Sequence, residues 1–143
     1  SRQTRDISSI INQGEIKVKF EAPISGKVSL AELGIKNEGK YLESGLLRLV
    51  FDLEGIGEHS YYQVPTIEIV YEENMAETHW ICEFNGETLL DKLDHHGHST
   101  VLLLNRKVLS NLEQRHENTL IVHAEFPQPA KLDLQQSFVH LFK

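Results

Sequence analysis

Apolar and polar side chains alternate one for one along most of this chain. That is the period of a strand with one face buried and one face wet. Ile16, Val18 and Phe20 alternate with Lys17 and Lys19. Leu47, Leu49, Phe51 and Leu53 alternate with Arg48, Val50 and Asp52, and Ile67, Ile69 and Tyr71 with Glu68 and Val70. Trp80, Cys82 and Phe84 alternate with His79, Ile81 and Glu83, and Leu120, Val122, Ala124 and Phe126 with Ile121, His123 and Glu125. The pattern predicts a strand over each run, with a further one at 101–104. The run 138–142 is short and fits strand or helix.

Turn chemistry separates the runs. Asn85-Gly86 follows the Trp80 run directly, and Asn-Gly is the favoured pair for a type I′ hairpin because both positions need positive φ. Gly34, Gly39, Gly55 and Gly57 mark other turns, and Pro127 and Pro129 punctuate the exit from the Leu120 run. Helix is scarce. Residues 5–12 fit a short one. Ser110 and Glu113 match a capping box beside the helically spaced Val108, Leu109 and Leu112.

Seven or eight short strands with frequent turns predict an all-β, antiparallel β-sandwich, jelly-roll-like, with at most short helical turns. No linker, low-complexity stretch or repeat divides the chain, so residues 1–143 are expected to form a single domain. Apolar residues on both faces, as over 46–49, fit a central strand or an oligomer contact.

Length and charge narrow the classes. A chain of 143 residues can bury roughly two-thirds of its unfolded surface without disulfides or a structural metal. Hydrophobic residues at 40% and charged ones at 24% are ordinary for a globular protein, which argues against global disorder. The net charge of −7 disfavours nucleic acid, which needs a basic footprint. Arg106-Lys107 is the only adjacent basic pair and reads as solvated surface. No apolar run is long enough to span a bilayer. The chain opens on Ser1 without a secretory-leader pattern, so the sequence points to no compartment. Cys82, the lone cysteine, cannot form an intrachain disulfide and reads as a buried, inert thiol.

Candidate chemistry concentrates in Asp94-His95-His96-Gly97-His98. Imidazole and carboxylate are good ligands for a divalent metal such as zinc, nickel or copper. On a strand, His96 and His98 would point to one face and could chelate an ion, with Glu87, Asp91 or a distant histidine completing the shell. The spacing is similar to that of cupin-type metal sites, although no suitably spaced Glu and no later His in glycine-containing surroundings follows. The plainer reading of the segment is a polar loop. Clustered histidines also invite a pH response near neutrality.

Other chemistry is thin. There is no Gly-x-Ser-x-Gly elbow, and Gly55-Ile56-Gly57 lacks the rest of a phosphate-binding loop. Tyr61 and Tyr62 are candidate ligand-binding aromatics that point to opposite faces if extended, while Trp80, which shares a face with Cys82 and Phe84, reads as core.

Four segments carry a resemblance: Trp80-Ile81-Cys82-Glu83-Phe84-Asn85-Gly86, His95-His96-Gly97-His98, Leu109-Ser110-Asn111-Leu112 and Glu117-Asn118-Thr119-Leu120-Ile121-Val122. Over 80–126 the chain resembles the jelly-roll sugar-binding accessory domains of glycoside hydrolases, with His116 where the family has glycine. The resemblance implies a jelly-roll fold and, less directly, carbohydrate binding. The leading functional reading is a non-catalytic binding module whose partner is another protein or a copy of itself. The alternatives are a carbohydrate-binding module and a small cupin-type metal-dependent enzyme using His95, His96 and His98.

Overall fold

The computed structural model describes residues 15–19, 26–35, 45–53, 61–110 and 118–143. Among these residues the strands are β1 (Glu15–Lys19), β2 (Lys27–Ser29), β3 (Leu46–Asp52), β4 (Tyr61–Val70), β5 (His79–Phe84), β6 (Glu87–Thr88), β7 (Leu90–His95), β8 (Ser99–Leu104), β9 (Thr119–Glu125) and β10 (Phe138–Phe142), with one short helix, α1 (Arg106–Ser110). They form two five-stranded sheets, ordered β1-β3-β9-β5-β6 and β2-β10-β4-β8-β7.

The pairing is nested about Asn85-Gly86. β5 turns back on β6, β4 pairs β8, β3 pairs β9 and β2 pairs β10, all antiparallel. A long hairpin has thus been rolled so that successive nested pairs alternate between sheets, which makes the sandwich a jelly roll. Asn85 and Gly86 have φ of 50° and 81°, as a type I′ turn requires. Asn85 also clamps the start of β9. Its Nδ2 donates to Asn118 Oδ1, and its Oδ1 accepts from the Thr119 amide, each at 3.0 Å.

Chain crossing between sheets occurs at Leu89, which is fully buried. Its amide donates to the Cys82 carbonyl in one sheet, and its carbonyl accepts from the Asn105 amide beyond the other, both at 2.8 Å. A strand can change sheets inside the core only if both backbone groups find partners, and here both do.

One pair is not antiparallel: β1 runs parallel to β3, with Ile16 opposite Leu49 and Val18 opposite Phe51. Between them the chain visits the other sheet as β2, the kind of crossover a parallel pair needs. The central position expected for 46–49 is met by β3, which lies between β1 and β9.

Alternation supplies the core. Leu47, Leu49, Phe51, Trp80, Cys82, Phe84, Leu120 and Val122 face Ile67, Ile69, Leu102, Leu104, Val139 and Leu141 in one continuous cluster. Each large aliphatic or aromatic side chain there contributes about 1.5–3 kcal/mol. Burial, with the charge of Glu83 adding, pushes the Cys82 thiol up to about 12, so it stays protonated and unreactive.

The helical expectations fare differently. The helix α1 starts at Arg106, four residues before Ser110 of the anticipated capping box. Asn105 caps it, its Oδ1 accepting from the Lys107 amide at 3.0 Å. A reciprocal Ser-x-x-Glu box is present at Ser29 and Glu32, where each backbone amide donates to the other's side chain. The run 138–142, open between helix and strand in sequence, is a strand because β4 and β2 pair with it on either side. The expected helix at 5–12, the turns at Gly39, Gly55 and Gly57, and Leu112 and Glu113 lie outside the described residues. Among those described, no helix is long and apolar enough to cross a membrane.

Among the described glycines, Gly45 is the one most constrained by packing. Its φ is +68°, and a Cβ there would lie 2.6 Å from the Phe126 carbonyl oxygen, a backbone atom. Gly86 also has positive φ, but open space surrounds it. In chemical denaturation Gly86→Ala is expected to cost about 1 kcal/mol from φ alone, and Gly45→Ala at least about 2 kcal/mol because backbone must also move. Equal losses in the two variants would refute this account.

Candidate functional site

The histidine-rich segment divides on folding. His95 ends β7 on its inward face, opposite Thr100. Its Nε2 donates to the Met75 carbonyl at 2.6 Å, and its Nδ1 meets Thr100 Oγ1 at 2.9 Å. A carbonyl can only accept, so the neutral ring carries its proton on Nε2, and Thr100 donates to Nδ1. Tyr71 then donates to Thr100 Oγ1 at 2.6 Å. Burial holds the Tyr71 hydroxyl up at about 12, partly offset by its bond to Thr100, so it remains a donor. The result is a directed chain, Tyr71 to Thr100 to His95 to the Met75 carbonyl, which ties β7 and β8 to the segment after β4.

An aromatic cluster backs this chain. Tyr71 packs edge-on against Phe126 at 5.7 Å, and Trp80 does the same at 5.9 Å. His95 therefore belongs to the structural interior, with both ring nitrogens engaged.

His96 and His98 do not lie on a strand. They flank Gly97 (φ 64°) in the turn between β7 and β8, where the His96 amide donates to the Ser99 carbonyl. The same-face geometry expected for a His-x-His pair is thus lost: a positive-φ glycine between them makes a turn where the pairing would need extended backbone. Both side chains are exposed. His96 Nε2 lies 3.2 Å from Asp94 Oδ1, and His98 Nδ1 faces the Tyr71 carbonyl at 3.5 Å. Such exposed pairs contribute little. Among the described residues, no three His, Cys, Asp or Glu side chains gather as a metal-ligand set.

Tyr61 and Tyr62 part to opposite sides of the second sheet. Tyr61 turns toward the core against Phe142, rings 5.2 Å apart, and partial burial raises its pKa. A register shift between His140 and Phe142 accompanies that contact. Tyr62 stands on the outer face and stacks on His140 at 5.3 Å and 24°.

That outer face is the richest candidate surface described. Cross-strand register places Lys27, His140, Thr66, Leu103 and Lys92 in one row, and Ser29, Phe138, Glu68, Val101 and Asp94 in the next. Tyr62 and Val64 continue it along β4, Val64 being 52% exposed. The Lys27 ammonium lies 3.9 Å over the Phe138 ring, a cation–π contact. His140, Lys27, Phe138 and Glu68 were not singled out from sequence. The alternation Phe138-Val139-His140 would place His140 outward, but its neighbour Tyr62 lies across a long-range pairing that no local pattern encodes.

Compared with known proteins, the chain matches no protein-family model, no curated protein and no solved structure.

The hydrogen-bond chain makes a direct prediction. Thr100→Val removes its middle member and strands two buried groups, which is expected to cost about 1–3 kcal/mol in urea denaturation after chelator treatment. His96→Ala and His98→Ala are expected to shift stability by no more than about 0.5 kcal/mol. The reverse ranking would mean that the turn histidines, and not His95, hold this end of the sandwich.

Proposed function

We propose that this domain is a non-catalytic binding module, that its contact surface is the outer face of the β2-β10-β4-β8-β7 sheet, and that its partner is a protein, a second copy of the chain included. The supporting observation is the composition of that face. Tyr62, Val64, Phe138, Val101 and Leu103 occupy solvent-side positions among Lys27, Glu68, Lys92 and Asp94. A one-sided antiparallel sheet ordinarily keeps such positions polar. Apolar positions interspersed with charge are the make-up of a non-obligate interface.

The edges of this sheet offer less. At one end of the second sheet β2 has only three residues, and at the other β7 presents Asp91, Lys92 and Asp94 to solvent. Short or charged edges resist strand addition by another chain. A face contact is therefore favoured over edge pairing.

A second reading has its own observation. The Tyr62 and His140 rings stand on the same face as the Lys27 ammonium and the Glu68 carboxylate. Aromatic surface beside charged hydrogen-bonding groups suits a sugar, in keeping with the carbohydrate-binding alternative.

Light scattering across a concentration series tests the first reading. The wild-type mass is expected to rise toward a dimer, and Val64→Asp is expected to remain monomeric with an unchanged circular-dichroism spectrum. A wild-type chain monomeric throughout excludes self-association. A glycan array bound by the wild type and not by Tyr62→Ala would move the assignment to carbohydrate.

A further inference from the structure

Two side-chain nitrogens among the described residues are buried without a hydrogen-bond partner: His123 Nδ1 and His140 Nε2. His123 has Glu125 3.8 Å from its other ring nitrogen, so a carboxylate is at hand if that ring charges. His140 sits in a different environment. From β2 it faces Lys27, its register partner. From β4 it faces Tyr62, stacked on its ring, its register partner Thr66, and Glu68 one row away. Phe138 lies beside it on β10 and holds the Lys27 ammonium over its ring.

The unpartnered nitrogen decides which form of the ring fits. A neutral imidazole carries one proton, and with that proton on Nδ1 the buried Nε2 is an unpaired acceptor in an uncharged ring, which costs less than an unpaired donor in a charged one. A second proton puts an N–H on Nε2, where there is no acceptor, in a charged ring with an ammonium on the neighbouring strand. A charged ring would gain attraction from the Tyr62 π face, but that gain leaves Nε2–H unsatisfied. Turning the ring out to water and toward Glu68 satisfies it, at the expense of the stack.

We infer that the Tyr62–His140 pair is an acid-opened latch on the outer face of the second sheet, closed while the imidazole is neutral and opened when it takes a second proton. The direction of the ring's titration agrees. Burial, and then the charge of Lys27, lowers the His140 pKa below its ordinary 6.5, with Glu68 opposing. A lowered folded-state value means that the closed arrangement is fully stabilising above 6.5 and loses that contribution as pH falls through the lowered value. The latch is closed at neutral pH and opens on mild acidification. Its functional meaning rests on this face being the binding surface: a partner seated on the stacked rings would be released by acid. Its existence does not depend on any partner.

The test uses the isolated full chain, with NMR of the histidine and tyrosine rings followed from neutral to mildly acidic pH. In the wild type the His140 midpoint is expected below 6.5, and the cross-relaxation between the His140 and Tyr62 rings is expected to vanish through that midpoint while circular dichroism stays constant. In Tyr62→Leu, which removes the cover, the His140 midpoint is expected to rise toward 6.5. In His140→Phe, which keeps a stacked ring but cannot titrate, the Tyr62 resonances are expected to be independent of pH over that range. Ring contacts that persist on both sides of the midpoint, or Tyr62 shifts that survive His140→Phe, overturn the latch. Because no partner is present, these results are separate from those of light scattering, where a monomeric wild type would count against self-association alone.

Discussion

The two-layer arrangement depends on the backbone of Leu89. Its amide is bonded within one sheet, and its carbonyl is bonded from the end of the other. At Leu89 the chain leaves one sheet for the other through the apolar interior, where an unpaired amide or carbonyl costs on the order of 1–3 kcal/mol. Satisfying both groups at one buried residue lets the β5–β6 hairpin continue directly into β7. Asn85-Gly86 sets where that hairpin turns, and the Asn85 side chain fixes the turn against Asn118 and Thr119. The outer pairs, β4 with β8, β3 with β9 and β2 with β10, are then successive layers wound about the same centre.

Period two and turn chemistry made much of this visible in the sequence. The inward residues of β3, β5 and β9 follow directly from alternation, and the Asn-Gly turn follows from its φ requirement. Pairing partners were not visible, because nested pairing is a long-range property. Val139, for instance, lies opposite Ile67, far away in the chain. The parallel pairing of β1 with β3 was hidden for the same reason. The helix start was legible in principle, since Asn105 is a good cap, but the Ser-x-x-Glu pattern at 110–113 competed with it. The same pattern at Ser29 and Glu32 caps a turn rather than a long helix.

Clustering in sequence and convergence in space came apart at the histidines. His95, His96 and His98 are near neighbours along the chain, yet strand parity turns His95 inward and a positive-φ glycine holds the other two in an exposed turn. What looks like one chemical group is a buried hydrogen-bond link beside two solvated side chains. His140 shows the converse. It stands alone among apolar residues in sequence, and only pairing of β10 with β2 and β4 surrounds it with Lys27, Tyr62 and Glu68.

The candidate face follows from this same pairing. A strand in the middle of a sheet cannot bury both faces in one sandwich, so apolar residues at outward positions are either half-covered by their neighbours or left to a partner. On β4 and β10 the covering is local and incomplete: Phe138 lies under the Lys27 ammonium, Tyr62 lies against His140, and Val64 has no comparable cover at 52% exposure. Both covering groups are ionisable side chains. The Lys27 ammonium covers Phe138 through a cation–π contact with the ring face. Histidine changes its charge close to neutrality, so the arrangement around Tyr62 depends on a proton. A face built this way has a conditional part, and that part adjoins its most exposed apolar residue.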